Sequence, residues 1–293
     1  LALASHGLFF RTKCSKSDET QKATLSMKWK VGIITSFDRG VAAHHLQRLH
    51  DMAPENFEVA CVIQATSPPP RSRQFWRRKI LKLLQIGVLG TLNGIRMRPW
   101  FNAHVEEYLN IPELKAMCEA VGCDHITVDQ LNSDETRRVL LNRSLDIAIS
   151  LGNGFIAPSV FSIPRLGMLN IHHEVLPEYQ NAQSVIWQLY HRSNQTGYSI
   201  HQITKNIDQG QIVVQQTIPI SFQASLSQTI TSTIGNVWEE SAKGLHQLLE
   251  HGQDLKALPI DSNRKTGHFT TPSGLQFFRI WRRWRRLRSI NHR

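Results

Sequence analysis

Runs of apolar residues alternate along the chain with segments in which apolar positions recur every three or four residues. Such runs are typical of buried strands, and the periodic segments are typical of amphipathic helices. The runs predict strands at residues 31–36, 57–64, 125–128, 145–151, 168–171, 198–203 and 211–218. The periodic segments predict helices at residues 41–52, 111–120, 132–142, 182–192 and 226–250. Strands that alternate with helices indicate an α/β fold with a doubly wound, mostly parallel sheet.

Three regions lie outside this alternation. Residues 1–26 are polar and mixed, and the first strand begins just after Met27, so we expect a disordered extension or a misplaced start there. Residues 68–108 form a basic and apolar insertion that we expect to be mostly helical. The alternating domain is then predicted to span residues 27–252, with a C-terminal extension over residues 253–293.

The composition is that of a globular protein with a basic surface. Hydrophobic residues make up 41% of the 293 residues, and no apolar run reaches the roughly 20 residues of a membrane-spanning helix. The net charge of +11 permits phosphate, nucleic-acid or anionic membrane partners without choosing among them. The four cysteines, at positions 14, 61, 118 and 123, lack metal-ligand or redox spacing. They fit reduced thiols in a cytoplasmic protein.

Candidate chemistry lies at the end of the predicted strand at residues 168–171. Asn170 and His172 are two positions apart, so their side chains point to the same face of a strand. Asp208 follows in a turn that contains Gly210 and leads into the next apolar run. A carboxamide donor beside an acid–base residue suits a carbonyl carbon that passes through a tetrahedral intermediate. The alternative is a buried His172 that is merely hydrogen-bonded to Asp208.

Other polar residues are weaker candidates for a functional role. The run His172-His173-Glu174 invites a metal site, but adjacent side chains on a strand point to opposite faces, so we expect no metal. His44 and His45 are expected on a helix surface. Gly40, which precedes that helix, fits either a phosphate site at the helix N-terminus or a simple tight turn.

The sequence around Asn170 resembles the folate-dependent formyltransferases. The resemblance rests on Pro164-Arg165-Leu166-Gly167 before the Asn-X-His pair, Leu176-Pro177 after it, and the turn Asp208-Gln209-Gly210 farther along. It implies a formyltransferase-type, Rossmann-like fold in which Asn170, His172 and Asp208 are catalytic. It also implies that 10-formyltetrahydrofolate is the formyl donor and that no metal takes part.

The resemblance further implies a site for the pterin ring of the folate. In the family, this site is built by the backbone after the fourth strand and by the loop that leads to the catalytic aspartate. The corresponding residues here are Gly152, Asn153, Gly154, Phe155, Ile156, Thr204 and Asn206. Two glycines at a strand end allow the backbone to approach a flat ring closely, although a plain strand-to-loop turn has the same pattern.

The sequence departs from the family on the side expected to hold the acceptor. His173-Glu174-Val175 replaces a small residue followed by serine, and Gln180-Asn181 replaces Arg-Gly or Pro-Gly. We therefore expect Glu174, Gln180 and Asn181 to contact the acceptor.

The resemblance implies that the acceptor is a primary amine of a small molecule, and an amino-sugar nucleotide fits by analogy. Two alternatives are a formyltetrahydrofolate hydrolase and a folate-binding pseudoenzyme in which Glu174 blocks acceptor access. A methionyl-tRNA formyltransferase, and with it a nucleic-acid partner, is disfavoured. The residues beyond 252 are too few and too rich in arginine for that enzyme's C-terminal β-barrel.

The tail from Arg279 to Arg293 combines arginines with a recurring apolar pattern. Phe277, Trp281, Trp284 and Leu287 predict one apolar stripe on a helix. A basic helix with tryptophan on its apolar face suits an anionic membrane surface and also suits a nucleic-acid backbone. The alternative is that the stripe packs against the domain. The membrane interpretation predicts a cytoplasmic enzyme that is peripheral to the membrane.

Overall fold

The computed structural model describes residues 28–68, 72–251, 255–259 and 264–291, so the predicted extension at residues 1–26 lies outside it. The described residues form a seven-stranded sheet with the strand order β3-β2-β1-β4-β5-β6-β7. The strands are β1 (Trp29–Thr35), β2 (Phe57–Ala65), β3 (Asp124–Val128), β4 (Ile147–Leu151), β5 (Met168–His172), β6 (Gln195–Gln202) and β7 (Ile212–Pro219). The first five strands run parallel, and β6 and β7 run antiparallel to their neighbours. The predicted doubly wound, mostly parallel sheet is confirmed.

The helices of the described residues follow the predicted order. They are α1 (Val41–Asp51), α2 (Arg73–Phe101), α3 (Ala103–Tyr108), α4 (Leu114–Val121), α5 (Asp134–Arg143), α6 (Pro158–Phe161), α7 (Ile186–Tyr190), α8 (Leu226–His251) and α9 (Gly274–Asn291). The helix predicted at residues 182–192 is shorter, as α7. The helix predicted from residue 132 begins later, because Ser133 caps α5 by accepting the backbone N–H of Thr136 at 3.2 Å.

Helices cover both faces of the sheet, which explains why its strands are apolar runs. Successive residues of β1 belong to opposite cores. Ile33 packs in a core with Leu46 of α1 and Ile230 of α8, whereas Ile34 packs with Leu140 of α5. Because both faces are buried, the last five residues of β1 and all five of β4 are buried, and most of them are apolar.

The parallel strands β1, β4 and β5 end at one edge of the sheet. Thr35 pairs with Leu151, and Ser150 pairs with Asn170. This register brings together the turn after β1, the loop after β4 and the end of β5. In doubly wound sheets, ligands bind at the carboxyl ends of the strands.

The expectation that His44 and His45 lie on a helix surface is wrong. Their exposed fractions are 2% and 0%, because α8 packs across α1. His44 Nε2 lies 3.2 Å from the carboxylate of Glu239, and His45 is bonded to the Val41 carbonyl and the Ser241 hydroxyl. Burial lowers the pKa of both histidines.

The tail helix α9 packs much of its apolar stripe against the domain. Phe277 and Trp284 are buried, and the indole N–H of Trp284 donates to the hydroxyl of Thr229 at 2.9 Å. Arg288 donates to the backbone oxygen of Ala224 at 2.9 Å. The stripe is therefore largely occupied by the protein's own core and does not offer a membrane the apolar face that the sequence suggested.

The helical insertion is α2, which bends at Gly87. This glycine has a φ of 70° inside the helix, a left-handed conformation that L side chains rarely adopt. The second half of α2 is anchored by Met97 and Trp100, whose side chains are buried. Within the described ranges, no helix combines the length and the apolar character needed to cross a membrane.

Candidate active site

Asn170, His172 and Asp208 meet at the carboxyl edge of the sheet, where they line a cleft of about 640 Å³. β5 places Asn170 and His172 on one face, as the two-residue period of a strand requires. Asp208 has a left-handed φ of 55°, and its Oδ2 lies 3.8 Å from Nδ1 of His172. The three residues predicted as catalytic are therefore adjacent in the fold.

The hydrogen bonds of His172 determine which ring nitrogen faces Asp208. Nε2 of His172 lies 2.8 Å from the backbone oxygen of Tyr179, which can only accept, so Nε2 carries a hydrogen. Nδ1 therefore faces Asp208. The 3.8 Å between Nδ1 and Oδ2 is too long for a direct hydrogen bond, so the carboxylate acts on Nδ1 through its charge.

His201 is a site residue that sequence reasoning did not single out. The antiparallel register of β5 and β6 pairs it with Asn170. Its Nδ1 donates to the backbone oxygen of Gln202 at 3.0 Å, so its Nε2 accepts the Asn170 amide at 3.2 Å. Its Nε2 also lies 3.7 Å from Oδ1 of Asp208. Burial lowers the pKa of His201, which keeps the ring neutral. The alternation of apolar and polar residues from Tyr198 to His201 predicts a strand, but it does not show that this strand pairs with β5.

The arrangement presents two donors to the cleft. The Asn170 amide has two N–H groups, and only one of them is used by His201. The second N–H and Nδ1 of His172 lie on the same face of β5, and Nδ1 becomes a donor when the ring takes up a second proton. Two such donors suit an oxygen that gains negative charge during acyl transfer.

The residues predicted to hold the pterin all line this cleft. They are Gly152, Asn153, Gly154, Phe155, Ile156, Thr204 and Asn206. Gly152 has a φ of 72°, and a Cβ there would lie 2.8 Å from the ring of Phe37. A Cβ at Gly154 would meet open space. The backbone of this loop is thus accessible to a flat ligand.

Asn153 ties this loop to the sheet. Its amide donates to the backbone oxygen of Ile34 at 2.7 Å and to the Ser150 hydroxyl at 3.0 Å, and its oxygen accepts from the Ser36 hydroxyl at 2.8 Å. These bonds join the loop after β4 to β1 and the turn that follows it. The loop is therefore held in place before any ligand binds.

The expectation that Glu174 faces the acceptor is wrong. Its side chain is 1% exposed and does not line the cleft, because the chain turns into the interior after β5 ends. It accepts hydrogen bonds from the backbone N–H of Val185 at 3.0 Å and from the amide of Gln188. Burial raises the pKa of Glu174 to about 8, against the opposing effect of these hydrogen bonds. Glu174 does not block the cleft. The pseudoenzyme alternative assumed such a block, so the structure does not support it.

Gln180 and Asn181 have different positions. Gln180 is buried outside the cleft, and its backbone is bonded to Gly267 and Phe269, so its expected contact with the acceptor is also wrong. Asn181 lines the cleft, and its contact with the acceptor stays a prediction. Its backbone N–H donates to Oδ2 of Asp208 at 3.1 Å and orients the carboxylate.

Part of the cleft lining is basic. Arg39 comes from the turn after β1, and Lys82 and Arg98 come from α2. Arg39 pairs with Glu113 at 3.4 Å. Burial and the charge of Arg98 lower the pKa of Lys82, so the two α2 cations repel each other at the cleft. Such a pair favours an anionic ligand.

The N-terminus of α1 already faces a carboxylate. Gly40, with a φ of 94°, precedes α1, and a Cβ at this position would lie 3.0 Å from Oε1 of Glu106. Burial raises the pKa of Glu106. The tight-turn interpretation of Gly40 therefore has a structural basis, and a phosphate there would meet Glu106.

His173 packs beneath the site. Its ring centroid lies 6.3 Å from that of His45 and 6.0 Å from that of Trp238. Burial, with smaller contributions from His172 and His44, lowers the pKa of His173 to about 3. Across the described part of the chain, no group of three or more His, Cys, Asp or Glu side chains is arranged to hold a metal ion.

Known proteins share this sequence pattern and fold. Residues 115–237 match the formyl transferase family. A methionyl-tRNA formyltransferase from Ehrlichia ruminantium (strain Welgevonden) is 28% identical over 158 residues, which cover 54% of this chain and 50% of that protein. The chain thus spans about half the length of such relatives.

Two solved structures share the fold. Phosphoribosylglycinamide formyltransferase from Anaplasma phagocytophilum has a TM-score of 0.51 and 15% identity, over 81% of this chain and 95% of that chain. Phosphoribosylglycinamide formyltransferase from Bacillus halodurans has a TM-score of 0.51 and 16% identity, over 77% of this chain and 98% of that chain.

Proposed function

We propose that this protein, whose residues 115–237 match the formyl transferase family, transfers a formyl group from 10-formyltetrahydrofolate to a primary amine. The observation that carries the proposal is the cluster of Asn170, His172 and Asp208 at the carboxyl edge of the sheet. The cluster presents an amide donor and a histidine with a carboxylate 3.8 Å from its Nδ1, beside a cleft that is large enough for a cofactor and an acceptor.

Two features of the cleft support a folate donor. Gly154 leaves the backbone after β4 open, and the bonds of Asn153 hold that backbone in position. Thr204 and Asn206 line the same cleft. These residues would hold the pterin, and the bound donor supplies the activated formyl carbon.

The catalytic residues then have separate roles. Asn170 and protonated His172 donate to the formyl oxygen, which gains negative charge as the amine attacks. The bond from the formyl carbon to the donor nitrogen then breaks, and a water placed by Asp208 carries the proton lost by the amine to that leaving nitrogen. Asp208 stabilises the positive charge on His172, and the neutral His201 keeps the Asn170 amide turned toward the cleft. Removing one such donor typically costs about 3 to 4 kcal/mol, or roughly 100- to 1,000-fold in rate.

For the acceptor, we infer an amine that carries phosphate, such as an amino-sugar nucleotide. Lys82 and Arg98 support this inference, because two cations that line the cleft suit a diphosphate. A second class, an aminoacylated tRNA, is supported by the relative that is named methionyl-tRNA formyltransferase. The two classes differ in size, so they are readily separated by assay.

The test is an absorbance assay for tetrahydrofolate release, with dTDP- and UDP-linked amino sugars and with charged initiator tRNA as acceptors. We expect turnover with an amino-sugar nucleotide, and a loss of roughly 100-fold or more in His172→Ala and Asp208→Ala. His50→Ala, which changes an exposed histidine on α1, is the matched control. Release without any acceptor would indicate a hydrolase, and near-normal turnover of His172→Ala would contradict the mechanism.

A further inference from the structure

The exposed apolar surface of the described residues is concentrated on two helices. Ten of the twenty large hydrophobic side chains that are exposed lie on α2, and four lie on α9, so the surface is far from evenly distributed. The most exposed of those on α2 include Leu84 at 74% and Val88 at 75%. We call the following six residues the α2 ridge: Ile80, Leu84, Val88, Leu89, Leu92 and Ile95.

The apolar ridge points away from the protein. In the second half of α2, Met97 and Trp100 face inward and are buried, whereas Val88, Leu92 and Ile95 are exposed at helical spacing. Helix α9 packs beside the ridge, since a Cβ at its first residue, Gly274, would lie 2.8 Å from Leu89. Exposed apolar surface of this kind is typical of an interaction site.

The charges around the ridge are of one sign. Helix α2 carries seven arginines and lysines and no acidic residue, and α9 carries six arginines and no acidic residue. Arg77, Arg78 and Lys79 stand directly beside the ridge in the sequence and are exposed. The surface thus combines exposed leucine, isoleucine and valine side chains with positive charges only.

We propose that the α2 ridge, flanked by the cations of α2 and α9, docks on an anionic lipid bilayer surface. Apolar side chains enter the boundary between headgroups and acyl chains, and the cations bind the anionic headgroups. A second copy of the chain is a poor occupant, because it would bring two acid-free cationic faces together. A nucleic acid would pair with the cations but would leave the apolar side chains in water.

The helix that carries the ridge also lines the cleft through Lys82 and Arg98. Lys82 lies two positions from both Ile80 and Leu84, which places it on the other side of the helix from them. The ridge and the cleft therefore occupy different faces of α2. The inference goes beyond formyl transfer, because binding to a lipid surface is measured without donor or acceptor.

The experiment is co-sedimentation of the whole chain with phosphatidylcholine vesicles, with and without phosphatidylserine, at physiological salt. We expect binding to the phosphatidylserine vesicles. The fourfold variant Leu84→Gln/Val88→Gln/Leu92→Gln/Ile95→Gln should bind roughly 100-fold more weakly or worse, while glutamine keeps the helix propensity. Leu141→Gln, which changes an apolar residue of α5 that is 60% exposed, is the matched control and should bind like the parent.

A second variant tests the charges without touching the ridge. Arg77→Gln/Arg78→Gln/Lys79→Gln should lose roughly 100-fold on phosphatidylserine vesicles. Equal binding of the parent and the fourfold variant, or no binding by the parent, would overturn the proposal. Sedimentation equilibrium gives a further check, because a dimer that the fourfold variant abolishes would make a second copy the occupant instead.

Discussion

Replacement of Glu174 by glutamine is the sharpest test of the interior geometry beneath the site. Glu174 is 1% exposed and accepts hydrogen bonds from Val185 and Gln188. Glutamine has the same shape and keeps an oxygen for the Val185 N–H. The Gln188 oxygen is buried and has no hydrogen-bond partner among the described residues, so a turn of the Gln188 amide gives the new N–H groups an acceptor.

The size of the expected stability change follows from the pKa of Glu174, which is about 8 in the folded protein against an ordinary value of 4.5 for a glutamate. Below the ordinary value, the carboxyl is protonated in both the folded and the unfolded chain, so glutamate and glutamine behave alike. Between the two values, the unfolded chain loses its proton and the folded chain keeps it. The wild type then loses about 1.4 kcal/mol of unfolding free energy for each pH unit.

The total loss of unfolding free energy in the wild type is at most about 5 kcal/mol, and it is complete once the pH exceeds the pKa of Glu174 in the folded protein. Glu174→Gln should therefore unfold with nearly the wild-type free energy near pH 4.5 and should be more stable by about 3 to 5 kcal/mol near pH 9. Because Glu174 does not line the cleft, kcat/KM for the acceptor should change by no more than a few-fold.

The assay is urea unfolding from about pH 4.5 to about pH 9, followed by circular dichroism. Glu107→Gln, which changes an exposed carboxylate on α3, is the matched control and should leave the pH dependence unchanged. The reasoning would be refuted if the unfolding free energies of the wild type and Glu174→Gln changed with pH in parallel. That result would mean that Glu174 has the same pKa in the folded and the unfolded chain.

Three further changes test the site. His201→Ala should lower kcat about tenfold with little change in the KM for the donor, because Asn170 loses the acceptor that orients its amide. Steady-state kinetics would measure this change, and His201→Gln should recover part of the lost kcat. Gly152→Ala should weaken folate binding measured by calorimetry and cost about 1 to 3 kcal/mol of stability, since the position has a φ of 72° and the Cβ would crowd Phe37. His173→Phe should flatten the fall of unfolding free energy with decreasing pH between 6.5 and about 3, because in that window only the unfolded chain protonates this histidine.

The sequence predicted the sheet and the shared face of Asn170 and His172 because these depend on short-range rules. The two-residue period of a strand decides which face Asn170 and His172 share. The parallel order of the strands then brings their ends to one edge. The position of Asp208 came from family resemblance, since its turn alone would fit many loops.

Other positions could not be predicted because they depend on contacts between distant segments. His44 is buried by Glu239 and its neighbours on α8, 195 residues later in the chain. The role of His201 depends on the antiparallel register between β5 and β6, which a run of alternating residues does not specify. Glu174 lies beyond the last residue of β5, where strand periodicity no longer fixes the direction of a side chain.

A comparison of α2 with α9 shows that the sequence also does not predict which apolar helix face stays exposed. Both helices are rich in arginine or lysine, lack acidic residues, and carry large apolar side chains. The pattern shows that an apolar stripe exists, but it does not show which side the rest of the chain covers. Trp284 of α9 is buried and is bonded to Thr229 of α8, whereas Val88 of α2 is 75% exposed in the described part of the structure. The apolar surface that remains for a membrane is therefore on the insertion, and it lies on the helix that also supplies Lys82 and Arg98 to the cleft.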